Sequence, residues 1–216
     1  MPELSAASRL ALAASCVAAV AFVVSIAYMP YPGAVLLKVV PIIALMVLSW
    51  QSLAGRTRLA VLAALTASAV GDITLELGAF LPGLSAFLAA QLVYAGIFFG
   101  QREITGRSLT QAGLVACLVA AAGASIWPHA GDMQVPVTFY MTAIGIMGLA
   151  AALHALPSVL ILAGAISFIV SDSLIGYNRF VQPLAGAREW IMVTYYLAQI
   201  LLVCGIVRYD FRSKLI

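Results

Sequence analysis

Residues 62–80 read LAALTASAVGDITLELGAF, an apolar run interrupted by Asp72 and closed by Glu76. Taken back to residue 57, the run is long enough as a helix to cross a hydrocarbon layer of about 30 Å. A second run of the same kind, LAGAISFIVSDSLIGYNRF at 162–180, carries Asp172. Two carboxyl groups therefore sit where charge is most costly, in a chain that is only 9% charged.

The rest of the sequence supports the membrane reading. Of 216 residues, 64% are hydrophobic, and the mean hydropathy of +1.09 lies far above that of soluble domains. Breaks at Pro, Gly and charged residues divide the chain into eight predicted spans, at 9–29, 33–53, 57–77, 83–100, 108–127, 132–153, 157–177 and 188–208. The expected fold is an all-α polytopic bundle of eight transmembrane helices, with 1–216 forming one integral membrane domain. The first run is too long for a signal-peptide core and lacks a small-x-small cleavage site, so it reads as a retained helix. Cys16, Cys117 and Cys204 fall inside spans and read as apolar fillers.

Placing the N-terminus in the cytoplasm puts Arg9, Arg56, Arg58, Arg102, Arg107, Arg208, Arg212 and Lys214 on that side, eight of the eleven Lys and Arg. Arg179 and Arg188 then face out and Lys38 lies in the second span, so the positive-inside rule favours an N-in, C-in topology. Trp50, Trp127 and Trp190 mark span ends, where interfacial tryptophans collect. The Ala-rich composition, without a targeting signal, reads as bacterial and points to the inner membrane.

In this topology spans three and seven run outward, and each reaches its aspartate fifteen positions after its start. Both carboxyl groups are expected about 22 Å from the cytoplasmic end. By the same arithmetic Lys38, Gln91, Tyr94, Tyr195, Tyr196 and Gln199 belong to the same outer layer. Glu76 follows Asp72 by one turn on the same face, either as a third member of the site or as a solvated acid at the span end. This convergence points to a polar cavity, the alternative being a Lys–Asp tie that fixes packing. The two aspartate segments also align at an offset of 100 residues, as a parallel four-plus-four duplication would. Gly96 and Gly100 form a GxxxG pattern expected to mark close helix packing. His129 and His154 fall at opposite ends of spans, which disfavours a zinc site. No phosphate loop, nucleophile elbow or nucleic-acid motif is present.

LKVVP (37–41), SAVGDITLE (68–76), GLSAFLAAQLVY (83–94), AISFIVSDSLIGYNRF (165–180) and VTYYLAQILL (193–202) together resemble the YhhN family of multi-pass membrane proteins, which contains the lysoplasmalogenases. The resemblance implies hydrolysis of the vinyl ether bond of a lysoplasmalogen to a fatty aldehyde and glycerophosphoethanolamine or glycerophosphocholine. It implies Asp72 and Asp172 as the catalytic pair, with Lys38 and Pro41, Asn178, Tyr195, Tyr196 and Gln199 around the substrate. The family's usual histidine in the fourth span stands here as Gln91.

Such a reaction begins with protonation of carbon and continues with attack of water on an oxocarbenium-like centre, so a protonated acid beside a carboxylate suits it. Lys38 would balance the ionised partner or hold a lipid phosphate. The lipid head group is expected near Asn178 and Arg179, and the route requires no cofactor or metal. The competing readings are a proton-coupled transporter and a lipid-binding protein using the same Asp/Lys cluster. An intramembrane aspartyl protease is disfavoured, since Ala69 stands where its Gly-x-Gly-Asp motif needs glycine.

Overall fold

The computed structural model describes residues 4–100, 102, 104–154 and 159–213, the last three by backbone alone. Lys214 and the Arg212 side chain, both counted above for orientation, lie outside the described parts. The chain forms α1 (Ala6–Ser25), α2 (Ala34–Ser52), α3 (Gly55–Glu76), α4 (Phe80–Phe99), α5 (Gly106–Ile126), α6 (Gln134–Ala152), α7 (Val159–Phe180) and α8 (Ala187–Ser213). Among the described residues, all eight expected spans are helices long and apolar enough to cross a membrane. Short 3₁₀ turns extend α1 and join α5 to α6.

Helix ends follow local chemistry. At the α3 C-terminus the Gly78 N–H donates to the Leu75 carbonyl and the Ala79 N–H to the Thr74 carbonyl, at 3.0 and 2.9 Å. This Schellman arrangement needs a left-handed residue, and Gly78 supplies it with φ of 79°. The chain can then reverse into α4 within three residues. Thr105 starts α5, its hydroxyl accepting from the Ser108 N–H while Ser108 Oγ accepts from the Thr105 N–H. α7 runs three residues past the expected 177, which places Asn178 and Arg179 on its last turn.

α1/α2, α3/α4 and α7/α8 pack as hairpins. α4 lies against α6, α2 against α3, and α8 touches α1 and α2 as well as α7, which brings the first and last helices together. α8 is the most buried helix and α5 the least. Since lipid is as apolar as the core, association rests on close fit and polar contacts. Gly164 and Gly205 supply that fit at the α7/α8 contact. A Cβ on Gly164 would come 2.9 Å from the Leu202 backbone nitrogen, and one on Gly205 would come 2.6 Å from Ile161 Cγ1. Gly164→Ala is therefore expected to cost about 1–3 kcal/mol. Gly113→Ala, which meets nothing within 4 Å, should leave the melting temperature in detergent unchanged or raised.

The GxxxG expectation for α4 is corrected. A Cβ on Gly96 would meet nothing within 4 Å, and one on Gly100 only backbone of its own helix. Neither glycine seats another helix of the chain. Trp50, Trp127 and Trp190 are exposed at 60%, 48% and 63%, as residues at span ends facing outward should be. Cys16 and Cys117 are exposed and Cys204 is buried, all three free.

Candidate functional site

Most of the polar side chains singled out above meet near the end of the bundle where α3 ends and α8 begins, and they meet in two groups. The first is built on Asp72, 2% exposed. Its Oδ1 lies 3.7 Å from Lys38 Nζ, and its Oδ2 accepts from the Tyr195 hydroxyl at 2.6 Å. The ammonium of Lys38 also donates to the Asp72 backbone carbonyl and to Glu76 Oε2, each at 3.3 Å. The other oxygen of Glu76 pairs with Arg188 at the start of α8. Glu76 is thus no solvated end-of-span acid but the middle of a chain Asp72, Lys38, Glu76, Arg188 whose charges sum to zero. That balance is what allows Lys38 to be buried at all.

α2 delivers Lys38 from its first turns, one turn before Pro41. The Tyr196 hydroxyl donates to the Lys38 carbonyl at 2.8 Å, and Ser15 on α1 donates to the Pro41 carbonyl at 2.9 Å. Below Asp72 by one turn, Ser68 accepts from Gln199 Nε2 at 2.9 Å, while Gln199 Oε1 accepts from Tyr94 at 2.8 Å. Tyr94, Ser68 and Gln199 thereby tie α4, α3 and α8 together with few hydrogen-bonding groups left over.

The second group is built on Asp172, 8% exposed. Its Oδ2 accepts from Gln91 Nε2 at 2.8 Å and from the Tyr140 hydroxyl at 2.5 Å, and Gln91 Nε2 also reaches Tyr140 Oη at 2.8 Å. No Lys or Arg forms an ion pair with Asp172 among the described residues. Both donors converge on one carboxyl oxygen, and Gln91 Oε1 is buried without a hydrogen-bond partner. An aromatic cluster packs against both groups, Tyr195 bonding Asp72 and Phe87 lining the slot beside Asp172. Phe87 and Phe168 stand edge-on to each other at 6.3 Å and to Tyr195 at 5.6 and 5.9 Å.

A narrow slot with a free volume of about 30 Å³ descends between α3, α4, α5, α6 and α7. Its walls include Leu75, Phe80, Leu84, Ile175 and Phe180, and its polar lining is Asp172 and Tyr140. Asp72 and Lys38 do not line it. At the slot's Phe80 and Phe180 end, the Arg179 guanidinium sits 3.8 Å over the Phe80 ring and 5.7 Å from that of Phe180. Asn178 instead secures the turn into α8, its Oδ1 accepting from the Leu184 N–H at 2.8 Å.

The two aspartates, Lys38, Glu76, Gln91, Tyr94, Tyr195, Tyr196 and Gln199 are thus brought into one polar region, with Asn178 on its edge. Tyr140, Arg188 and Ser68 were missed. Ser68 carries a signal, standing one turn before Asp72 on the same face. Tyr140 does too, since it lies at the shared depth in span six; only its contact with Asp172 distinguishes it from an interfacial tyrosine. No group of three or more His, Cys, Asp and Glu able to hold a metal occurs among the described residues.

The class this defines is an all-α, multi-pass membrane protein with two buried carboxyl groups, one ion-paired and one held by neutral donors. The chain belongs to the YhhN family, whose model matches residues 33–206. It is 36% identical over 160 residues to "Lysoplasmalogenase" of Mycobacterium tuberculosis (strain CDC 1551 / Oshkosh), across 70% of this chain and 61% of that protein. It is 34% identical over 184 residues to "Lysoplasmalogenase TMEM86B" of Homo sapiens, across 81% of this chain and 76% of that one. The chain thus spans about three fifths of the length of the mycobacterial relative. No solved structure matches it.

Proposed function

We propose that the protein is a membrane hydrolase that cleaves the vinyl ether bond of lysoplasmalogens, with Asp172 as the acid that protonates the alkene. The observation that carries this reading is the slot: apolar except for Tyr140 and Asp172, it holds a carboxyl group that has no cationic partner among the described residues. An ionised carboxylate in such surroundings costs several kcal/mol, so Asp172 holds a proton to give. Asp72, ion-paired with Lys38, remains the carboxylate.

The steps balance as follows. Asp172 transfers its proton to the vinyl carbon farther from the ether oxygen, leaving an oxocarbenium ion on the adjacent carbon and a carboxylate on Asp172. Water adds to that carbon and returns a proton to Asp172, giving a hemiacetal. The hemiacetal collapses to a fatty aldehyde and the glycerophospho-alcohol. Tyr140 and Gln91 hold the carboxyl by one oxygen and leave the other for the proton. The charge of Asp72 favours the cationic intermediate.

Arg179 follows Asp172 on α7 by seven residues, close to two full turns, which places it on the same face about 10 Å farther along. In a lysoplasmalogen, seven bonds separate the phosphorus from the carbon to be protonated, a span of roughly 9 Å when extended. Arg179 is accordingly assigned to the lipid phosphate, at the outer face in the N-in topology. Arg179→Gln should raise KM about tenfold or more through the lost charge-assisted contact while leaving kcat nearly unchanged.

The function itself is tested by incubating the purified, detergent-solubilised protein with a lysoplasmalogen and measuring aldehyde. A saturated ether analogue serves as the control, since it offers no alkene to protonate. Folded protein that releases no aldehyde would sink the hydrolase reading and favour proton-coupled transport by the same carboxyl groups.

A further inference from the structure

The slot's free volume of about 30 Å³ leaves no room for a long hydrocarbon chain, and a second feature lies beside it. Between α5 and α6 runs an open apolar groove of about 580 Å³, from Trp127 at one end to Val115 and Leu149 at the other. Met141 lines both the groove and the slot. Val137 and Tyr140 of the slot are also chain neighbours of the groove residues Thr138 and Met141. The groove exists because its floor is built from small residues, among them Ala116, Ala120, Gly123 and Gly145. α5 is also the least buried helix, so this face is turned toward the bilayer.

We propose that the groove holds the hydrocarbon tail of a single-chain lipid whose polar end reaches Asp172 through the slot. From Met141 to Leu149 the helix α6 rises about 12 Å, the length of roughly ten carbons at about 1.25 Å of advance per bond. Bilayer lipid is as apolar as the groove, so the groove adds registry rather than hydrophobic affinity. It keeps the chain extended along α5 and α6, and the first carbons past the ether oxygen come to rest at Met141. The groove meets the slot along one residue, Met141, which matches the single point at which one chain leaves the head group. This rests on the slot being the reacting site, but its test requires no reaction.

Trp127 makes the groove observable. In a Trp50→Phe, Trp190→Phe background, Trp127 is the remaining tryptophan, and its fluorescence can be quenched by lysophosphatidylcholine carrying a nitroxide on its acyl chain. Titration in detergent should give saturable quenching that unlabelled lysophosphatidylcholine reverses. Adding Ala120→Leu and Gly123→Leu should abolish the saturable component. A Cβ on Gly123 meets nothing within 4 Å and Ala120 is exposed, so these leucines occupy the groove without disturbing the core. Quenching that rises without saturation, or that the leucines leave intact, overturns the proposal. So does a leucine-induced change of oligomeric state with quenching unaltered, which would assign the groove to a second copy of the chain. Saturable binding by a protein that releases no aldehyde would refute the hydrolase and leave the groove assignment standing.

Discussion

Asp172→Asn is expected to lower kcat for aldehyde release by about three orders of magnitude or more, the upper range of what a positioned general acid contributes. Asparagine keeps the shape of the side chain, and its amide oxygen can still accept from Tyr140 and Gln91, so the bundle should remain folded and lipid binding intact. What disappears is the proton. Asp72→Asn should cost less, about a hundredfold, because in the proposed reaction Asp72 acts through charge rather than transfer. The order of the two losses matters as much as their size. Full activity in a folded, lipid-binding Asp172→Asn protein would end the proposal that Asp172 is the acid, and a larger loss at Asp72 would reverse the assignment.

The second large effect is expected on stability. Lys38→Met removes the one cation shared by Asp72 and Glu76. Glu76 keeps Arg188, but among the described residues Asp72 is left with Tyr195 as its side-chain partner. Removing one member of a buried ion pair costs about 3–5 kcal/mol, because the remaining charge stays desolvated. Thermal unfolding in detergent should fall by many degrees, and the Lys38→Met, Asp72→Asn double variant should recover much of the loss. The double-mutant cycle separates a charge effect from a packing effect. If the second substitution recovers nothing, Lys38 contributes through the packing of its stem rather than through its charge.

The two expectations connect. In the proposed reaction, a carboxylate balanced by Lys38 and a carboxyl with no ion pair among the described residues separate the roles of two chemically identical side chains, and each variant removes one side of that difference.

Much of this protein is determined by the sequence alone. Apolar runs of about twenty residues can satisfy their backbone in lipid only as helices, so the eight spans follow from composition and breakpoints. Asp72, Asp172 and Lys38 stand out because charge in a span is too costly to be incidental. Their convergence with Gln91, Tyr94 and the α8 tyrosines follows from counting along helices of known rise. What counting could not supply is which helix lies beside which.

In a soluble protein the apolar stripe of each helix names its inward face, but in lipid both faces are apolar and that signal vanishes. Only the tertiary structure decided that Tyr140 rather than Tyr195 holds Asp172, that Arg188 rather than solvent meets Glu76, and that the aspartates fall in two separate hydrogen-bonding groups. The glycines divide in the same way. Gly164 and Gly205 seat helices while Gly96 and Gly100 do not, because a missing side chain matters only where another chain segment comes close enough to use the space.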